Sequence, residues 1–301
     1  MCTKSSRIAG RLVATPLLAF GLAAASGCGG QNETGDDSGG ADLLARRSRQ
    51  VAAAWNGSTA AAAWRAGYHP MGEVVQLPRG GLHSKADEQA YQERNFVLRS
   101  KLPDAAPKAE RVTWPGKGNE SLTRPLMEVR ESYESLAGGR ADRKPHLTVT
   151  RAKLGEMSLA TSRGTATVPA WLFTLDGYAS PLKLAAATPS KDPHPPIERT
   201  SEIPGYPIDQ LVRVAADGRS VTVVALHCVC EGEPAVSVLE TRGSAVLSAS
   251  VVSRKNTGNC TAQAKMQQVT VALEHPLGDR VLLDAHTGRP VTYKGVVSEG
   301  R

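Results

Sequence analysis

Residues 147–175 read LTVTRAKLGEMSLATSRGTATVPAWLFTL, and this stretch decides the fold class. From Leu147 to Ala160 apolar and polar residues alternate, Ser162-Arg163-Gly164-Thr165 supplies turn chemistry, and Ala166 to Leu175 returns. A period of two sends successive side chains to opposite faces, so the stretch predicts a long antiparallel hairpin with one buried face. Its most apolar part is Val168-Pro169-Ala170-Trp171-Leu172-Phe173. Proline has no N–H to give to a ladder, so Pro169 predicts a returning strand that lies at an edge or bulges there.

The same period continues downstream. Gln210 to Val214 and Ser220 to Cys230 flank Ala216-Asp217-Gly218, and Ala235 to Glu240 and Ala245 to Ser253 flank Arg242-Gly243-Ser244. Met266 to Glu274 and Arg280 to Ala285 flank Pro276-Leu277-Gly278-Asp279. Three consecutive hairpins predict an antiparallel β-sandwich or curved sheet. Upstream the period is helical. Ala41 to Ala54 places Leu44, Val51 and Trp55 on one side and Arg46, Arg47 and Arg49 on the other, a face to be solvated or to rest on anionic headgroups. Asn56-Gly57 ends it, Ser58 caps a second helix through Arg65, and Lys85 to Arg94 and Glu128 to Leu136 read as two more. Asn95 to Leu102, Arg111 to Trp114 and Pro181 to Ala187 read as strands. Pro189 to Pro207 holds six prolines and few apolar residues, the composition of a connector between halves or of a long crossover within one domain. The expected class is α+β, mainly β: an α+β region over 41–188, a connector over 189–207 and an antiparallel β domain over 208–294.

The first residues carry a different message. Lys4, Arg7 and Arg11 precede an apolar run from Leu12 to Ala25 that contains Pro16 and Gly21, and small residues follow. These are the three parts of an export signal, and the run is shorter than the roughly 20 residues that cross a bilayer as a helix. Ala25-Ser26-Gly27-Cys28 resembles a lipobox, with Ala25 where that motif prefers Leu. The resemblance implies cleavage after 1–27 and a diacylglyceryl group on Cys28; cleavage without lipid is the alternative. Two acyl chains hold a protein on a membrane where one exchanges. Gly29 to Gly40, rich in Gly, Asn, Asp and Ser, reads as a flexible tether that with Cys28 makes up 28–40.

Removing the signal takes away three basic residues and no acid, lowering the net charge from +7 to +4. So mild an excess is not the clustered Lys and Arg of a nucleic-acid surface, and no nucleic-acid partner is expected. It suits a solvated mixed-charge surface or an anionic wall polymer. Aromatics at 4% speak against a platform for stacking sugars.

Beyond the signal and Cys28, three cysteines remain: Cys228, Cys230 and Cys260. Export implies an oxidising setting, so a disulfide is expected. Cys230 sits at a strand exit and Cys260 in the following long loop, so the pair Cys230–Cys260 is expected, with Cys228 left as an odd thiol. Closing about 30 residues contributes roughly 3.5 kcal/mol on the chain-entropy account. His227-Cys228-Val229-Cys230 with Cys260 also invites a zinc or copper reading, which needs a bulge because His227 and Cys228 face opposite ways on a strand. No metal site is assigned. The other histidines, His69, His83, His146, His194 and His275, have no ligand-spaced partner, and Asp284 with His286 reads as a surface pair near a strand end. There is no zinc-protease histidine pair, no Gly-x-Ser-x-Gly elbow and no phosphate-cradling glycine loop. Ser180-Pro181-Leu182-Lys183 matches Ser-x-x-Lys without its companion motifs. No catalytic residue and no cofactor are expected.

Val168 to Gly177 and Val269 to Pro290, with Leu-Gly-Asp-Arg and Asp-x-x-Thr-Gly-Arg-Pro, resemble uncharacterised actinobacterial secreted lipoproteins. The resemblance implies an envelope location and brings no activity; Gly278 and Gly288 read as tight-turn residues, with Asp279 bonding local backbone. The expected function is a membrane-tethered extracytoplasmic lipoprotein acting as a binding or structural module, its partners the membrane and a wall polymer or envelope protein. An envelope enzyme of another type and a Cys/His metal-binding lipoprotein are the alternatives. Replacing Cys28 tests the anchor: radiolabelled fatty acid should enter the parent and not Cys28→Ala, and label in the variant refutes lipidation at this residue.

Overall fold

The computed structural model describes residues 37–103, 108–138, 144–229, 232–251 and 263–294. In chain order the elements are α1 (Asp37–Trp55), α2 (Thr59–Ala66), β1 (Val75–Gln76), α3 (Lys85–Gln92), β2 (Phe96–Leu98), β3 (Ala109–Trp114), β4 (Glu120–Pro125) and α4 (Val129–Leu136). They continue with β5 (Leu147–Thr161), β6 (Gly164–Leu175), β7 (Leu182–Ala185), β8 (Ile208–Val214), β9 (Ser220–Cys228), β10 (Pro234–Glu240), β11 (Ser244–Val251), β12 (Ala264–Ala272) and β13 (Val281–Asp284). The protein is α+β, mainly β, with curled sheets.

The hairpin forms as its period requires. β5 and β6 pair antiparallel from Thr161↔Gly164 through Met157↔Val168 and Leu154↔Trp171, and Gly164 turns the chain at φ +94. The irregularity falls between Val149 and Arg151, not at Pro169, and β6 is interior: β5 pairs on one side, β7 and β3 on the other. The expectation of an edge or bulge at Pro169 is therefore corrected. In a strand a residue's N and carbonyl point the same way, and the Pro169 carbonyl accepts from Ala186 N at 2.8 Å. The missing donor thus points at the junction where β7 has ended and β3 has not begun, and no ladder bond is lost.

Around this hub a seven-stranded sheet runs β1-β7-β6-β3-β4, with β5 on the far side of β6 and β2 parallel to β5. α3 and α4 cover one part of it, burying Ala90, Val129 and Leu136 with Trp171, Phe173 and Leu182. The helix starts follow local chemistry: Ser58 accepts from Ala61 N at 3.1 Å and Ser84 from Asp87 N at 3.1 Å.

The C-terminal strands make two three-stranded sheets, β10-β11-β13 and β12-β9-β8. The first two expected hairpins, β8–β9 and β10–β11, are present. The third is not: β12 pairs with β9, and β13 runs parallel to β11, Ala245 opposite Leu282. Leu273 N donates to Arg219 O at 2.8 Å and Leu277 N to Gly218 O at 2.9 Å, so the β8–β9 turn captures the segment after β12 and carries it to the other sheet.

The apolar clusters cut across the expected division at 189–207. Val51, Trp55 and Trp64 of α1 and α2 bury with Leu211, Val223, Leu247 and Leu282 of the C-terminal sheets. Segment 189–207 is held at both ends. Ser190 N donates to Tyr68 O at 2.8 Å, Arg124 donates to the carbonyls of Thr188 and Pro189, and Thr200 N donates to His286 O at 2.9 Å. Gly205 passes so close to β11 at φ +89 that a Cβ there would lie 2.1 Å from Ala249 O, which only glycine permits. Among the described residues no helix is long and apolar enough to cross a membrane.

Glu240 ties β10 to the β12–β13 crossover. Its carboxylate accepts from Glu274 N at 2.5 Å and from Arg280 Nη1 at 2.7 Å. Burial works to raise this carboxyl, and Arg280 with the Glu274 and His275 amides outweighs it, so its pKa lies below the ordinary 4.5. A depressed carboxylate stabilises the fold above its unfolded pKa, and that contribution disappears as pH falls through the folded value. Glu240→Gln should lower the melting temperature at pH 7, with the gap to the parent closing below the ordinary carboxylate range; a gap independent of pH refutes the assignment.

Candidate functional site

Residues 284–290, the Asp-x-x-Thr-Gly-Arg-Pro run, close a turn after β13. Asp284 Oδ2 accepts from Thr287 N at 2.8 Å and from Thr287 Oγ1 at 2.7 Å, while Oδ1 accepts from Ile208 N at 3.2 Å. Gly288 N returns to Asp284 O at 2.8 Å with Gly288 at φ +66. Gly278 also has positive φ, as expected, but Asp279 departs from its expected role: its carboxylate meets Lys117 Nζ at 2.6 Å.

α1 completes this centre. Trp55 Nε1 donates to Gly288 O at 2.8 Å, and Arg47 donates through Nε to Ala285 O at 2.9 Å and through Nη2 to Glu198 O. Arg47 is therefore buried, not on the solvated face expected for it. Burial lowers its pKa, an effect that Asp284 partly offsets. Asp284 and His286 are likewise buried, at 2% and 3% exposure, which corrects their reading as surface residues. His286 Nε2 lies 3.2 Å from Pro204 O and Nδ1 3.8 Å from Asp284 Oδ1, so the ring faces segment 189–207.

Over this turn lies a cleft of about 710 Å³, walled by Lys191, Asp192 and His194 on one side and by Asp209, Arg289 and Lys294 on the other. Its acids are engaged. Asp192 Oδ1 is 3.4 Å from Nδ1 of buried His69, which stacks on Trp64 at 3.9 Å; Asp209 Oδ1 is 2.7 Å from Lys294 Nζ. Lys191 and Arg289 are exposed and meet no carboxylate among the described residues. The cleft is lined by three carboxylates and three cations, and Lys191 and Arg289 are the two cations that stand apart from the carboxylates. Sequence reasoning read the Asp284–Pro290 run as a turn and missed the cleft. The signal was the pairing of that run with cations in a proline-rich segment.

The other expected residues scatter. Cys28, Cys230 and Cys260, and with them the expected Cys230–Cys260 bond, lie outside the described residues. Cys228 is buried and disulfide-bonded, with the Tyr206 hydroxyl 3.2 Å from its sulfur, which corrects its reading as the odd thiol. His227 and Cys228 alternate along β9 opposite Lys265 and Ala264, and among the described residues no group of three or more His, Cys, Asp or Glu is placed to hold a metal. Ser180 Oγ accepts from Arg79 N at 2.7 Å while Lys183 Nζ reaches Glu156 O at 3.4 Å, and Lys183 lies on strand β7 where Ser-x-x-Lys needs a helical turn.

Comparison with protein-family models, with curated proteins and with solved structures finds no match to this chain.

Asp284→Ala should destabilise the fold by about 3 kcal/mol, because it strands the buried N–H of Ile208 and the part-buried N–H of Thr287 and removes the charge facing Arg47. Urea unfolding reads the effect, and a midpoint equal to the parent's refutes the structural role given to this carboxylate.

Proposed function

We propose that this protein is a lipid-tethered binding module on the extracytoplasmic face of the membrane, whose cleft holds the anionic groups of an envelope polymer. The observation that carries the ligand class is the placement of the cations: Asp209 is paired with Lys294 and Asp284 is held by Thr287 and Ile208, while Lys191 and Arg289 are exposed and meet no carboxylate among the described residues. Supporting the location are the basic start, the short apolar run and the lipobox-like Ala25-Ser26-Gly27-Cys28. The described fold begins at Asp37, close behind Cys28. A cleft of about 710 Å³ falls within the roughly 300–1,000 Å³ of small-ligand sites, enough for one or two repeating units of a polymer.

Exposed cations bind modestly and through screened fields, so affinity should fall with salt. The mature chain carrying Cys28→Ser, titrated with poly(glycerol phosphate), should bind it and ignore uncharged dextran. Lys191→Ala with Arg289→Ala should weaken binding about tenfold, which corresponds to about 1.4 kcal/mol. Equal affinity of parent and double variant overturns the assignment of the cleft.

A further inference from the structure

A second concavity lies beside α1. A groove of about 570 Å³ runs between the first turns of α1 and the β10–β11 pair, lined by Ala41, Leu44, Val238, Leu239 and Val251, with Arg49 on its wall. The polarity of Ser48 at its base is already spent, since its hydroxyl bonds Leu44 O at 2.9 Å and Ser248 Oγ at 2.7 Å. Ser237 and Ser250 are the other hydroxyls of the lining, so the trough is mostly apolar, with a cation beside it.

The outer face of α1 adds to this. Leu43, Arg46 and Arg49 follow one another at intervals of three, which puts them on one stripe of the helix. Leu43 is 39% exposed, one of three large apolar side chains so exposed among the described residues. Arg46 and Arg49 are exposed and meet no carboxylate of those residues, and Asp42 is the one acid of the helix's described side chains. Arg49 borders the groove, Arg46 comes next round the helix and Leu43 beyond it, so two free guanidinium groups flank a mostly apolar trough, which matches the layering of a lipid, chain below and phosphate above.

We infer that this edge of α1 is a binding site for an anionic phospholipid of the membrane, one acyl chain lying in the groove and its phosphate on Arg46 and Arg49. The chain length outside the described fold favours this occupant over a protein or a free anion. From Cys28 to Asp37, where α1 begins, even a fully extended chain at about 3.6 Å per residue keeps the helix start within about 32 Å of the lipid-bearing residue. The inference rests on the tether in this respect, and the site itself is independent of the cleft over Asp284.

The test uses the mature chain with Cys28→Ser, so that no covalent lipid contributes, sedimented with vesicles of phosphatidylcholine alone or of equimolar phosphatidylcholine and phosphatidylglycerol. Binding is expected on the anionic vesicles only. Arg46→Gln with Arg49→Gln should lower it at least tenfold, each cation near an anionic surface being worth about fivefold. Leu43→Ser should lower it further, and Lys191→Ala with Arg289→Ala should leave it unchanged. Glycerol phosphate, the headgroup without a chain, should fail to compete. The inference is overturned by equal binding to both vesicle types, by an arginine variant with a native circular dichroism spectrum that sediments like the parent, by loss of binding in the cleft variant, or by competition from glycerol phosphate. Fatty-acid labelling of the unaltered chain reads the tether separately: no label at Cys28 with vesicle binding intact refutes the anchor and keeps the site.

Discussion

The carboxylate of Asp284 has to be satisfied in a place water does not reach, and much of the molecule is arranged to do it. A buried, unpaired carboxylate costs several kcal/mol, so each of its oxygens needs donors. Thr287 supplies two and the start of β8 supplies a third. Arg47 lies close enough for its charge to be felt, and through that residue and Trp55 the first helix is fastened to the turn after the last strand. The two ends of the described chain thus share one centre, and α1 and α2 bury with the C-terminal sheets instead of the sheet that follows them in sequence.

The proline-rich segment takes its course from the same constraint. It leaves the N-terminal sheet at Ser190, meets His286 at Thr200 and Pro204, and crosses β11 where only a glycine fits. Prolines suit such a path because most of its backbone faces no ladder and needs no donor. Lying over the Asp284 turn, it forms a wall, and the cleft is the space it fails to fill. Asp209 and Asp284 are tied into the walls, His286 faces inward, and Lys191 and Arg289 stand exposed beside Asp192 and His194.

The surface offers two regions with unpaired cations of different surroundings. In the cleft, Lys191 and Arg289 stand among charged and backbone groups, a setting for a hydrated, extended polyanion. Along α1, Arg46 and Arg49 stand beside exposed Leu43 and an apolar trough, a setting for a headgroup with its tail. The neighbours of each cation, more than its charge, separate the two proposals.

Whatever depended on neighbours in the chain was legible. The period of residues 147–175 gave the β5–β6 hairpin, Ser58 gave the start of α2, and Gly288 gave its turn, because alternation, capping and positive φ are set within a few residues. Of the candidate site, the Asp284–Pro290 turn could be read and the cleft above it could not, since its walls bring residues 191–194 against residues 284–294, far apart in the chain. Tertiary structure alone decided that β13 joins β11 and not β12, that Pro169 sits in an interior strand, and that Arg47 is buried while Arg46 and Arg49 are not. Each of those outcomes turns on which distant backbone group or charge arrives opposite a residue, and a residue's own pattern carries no record of what it will face.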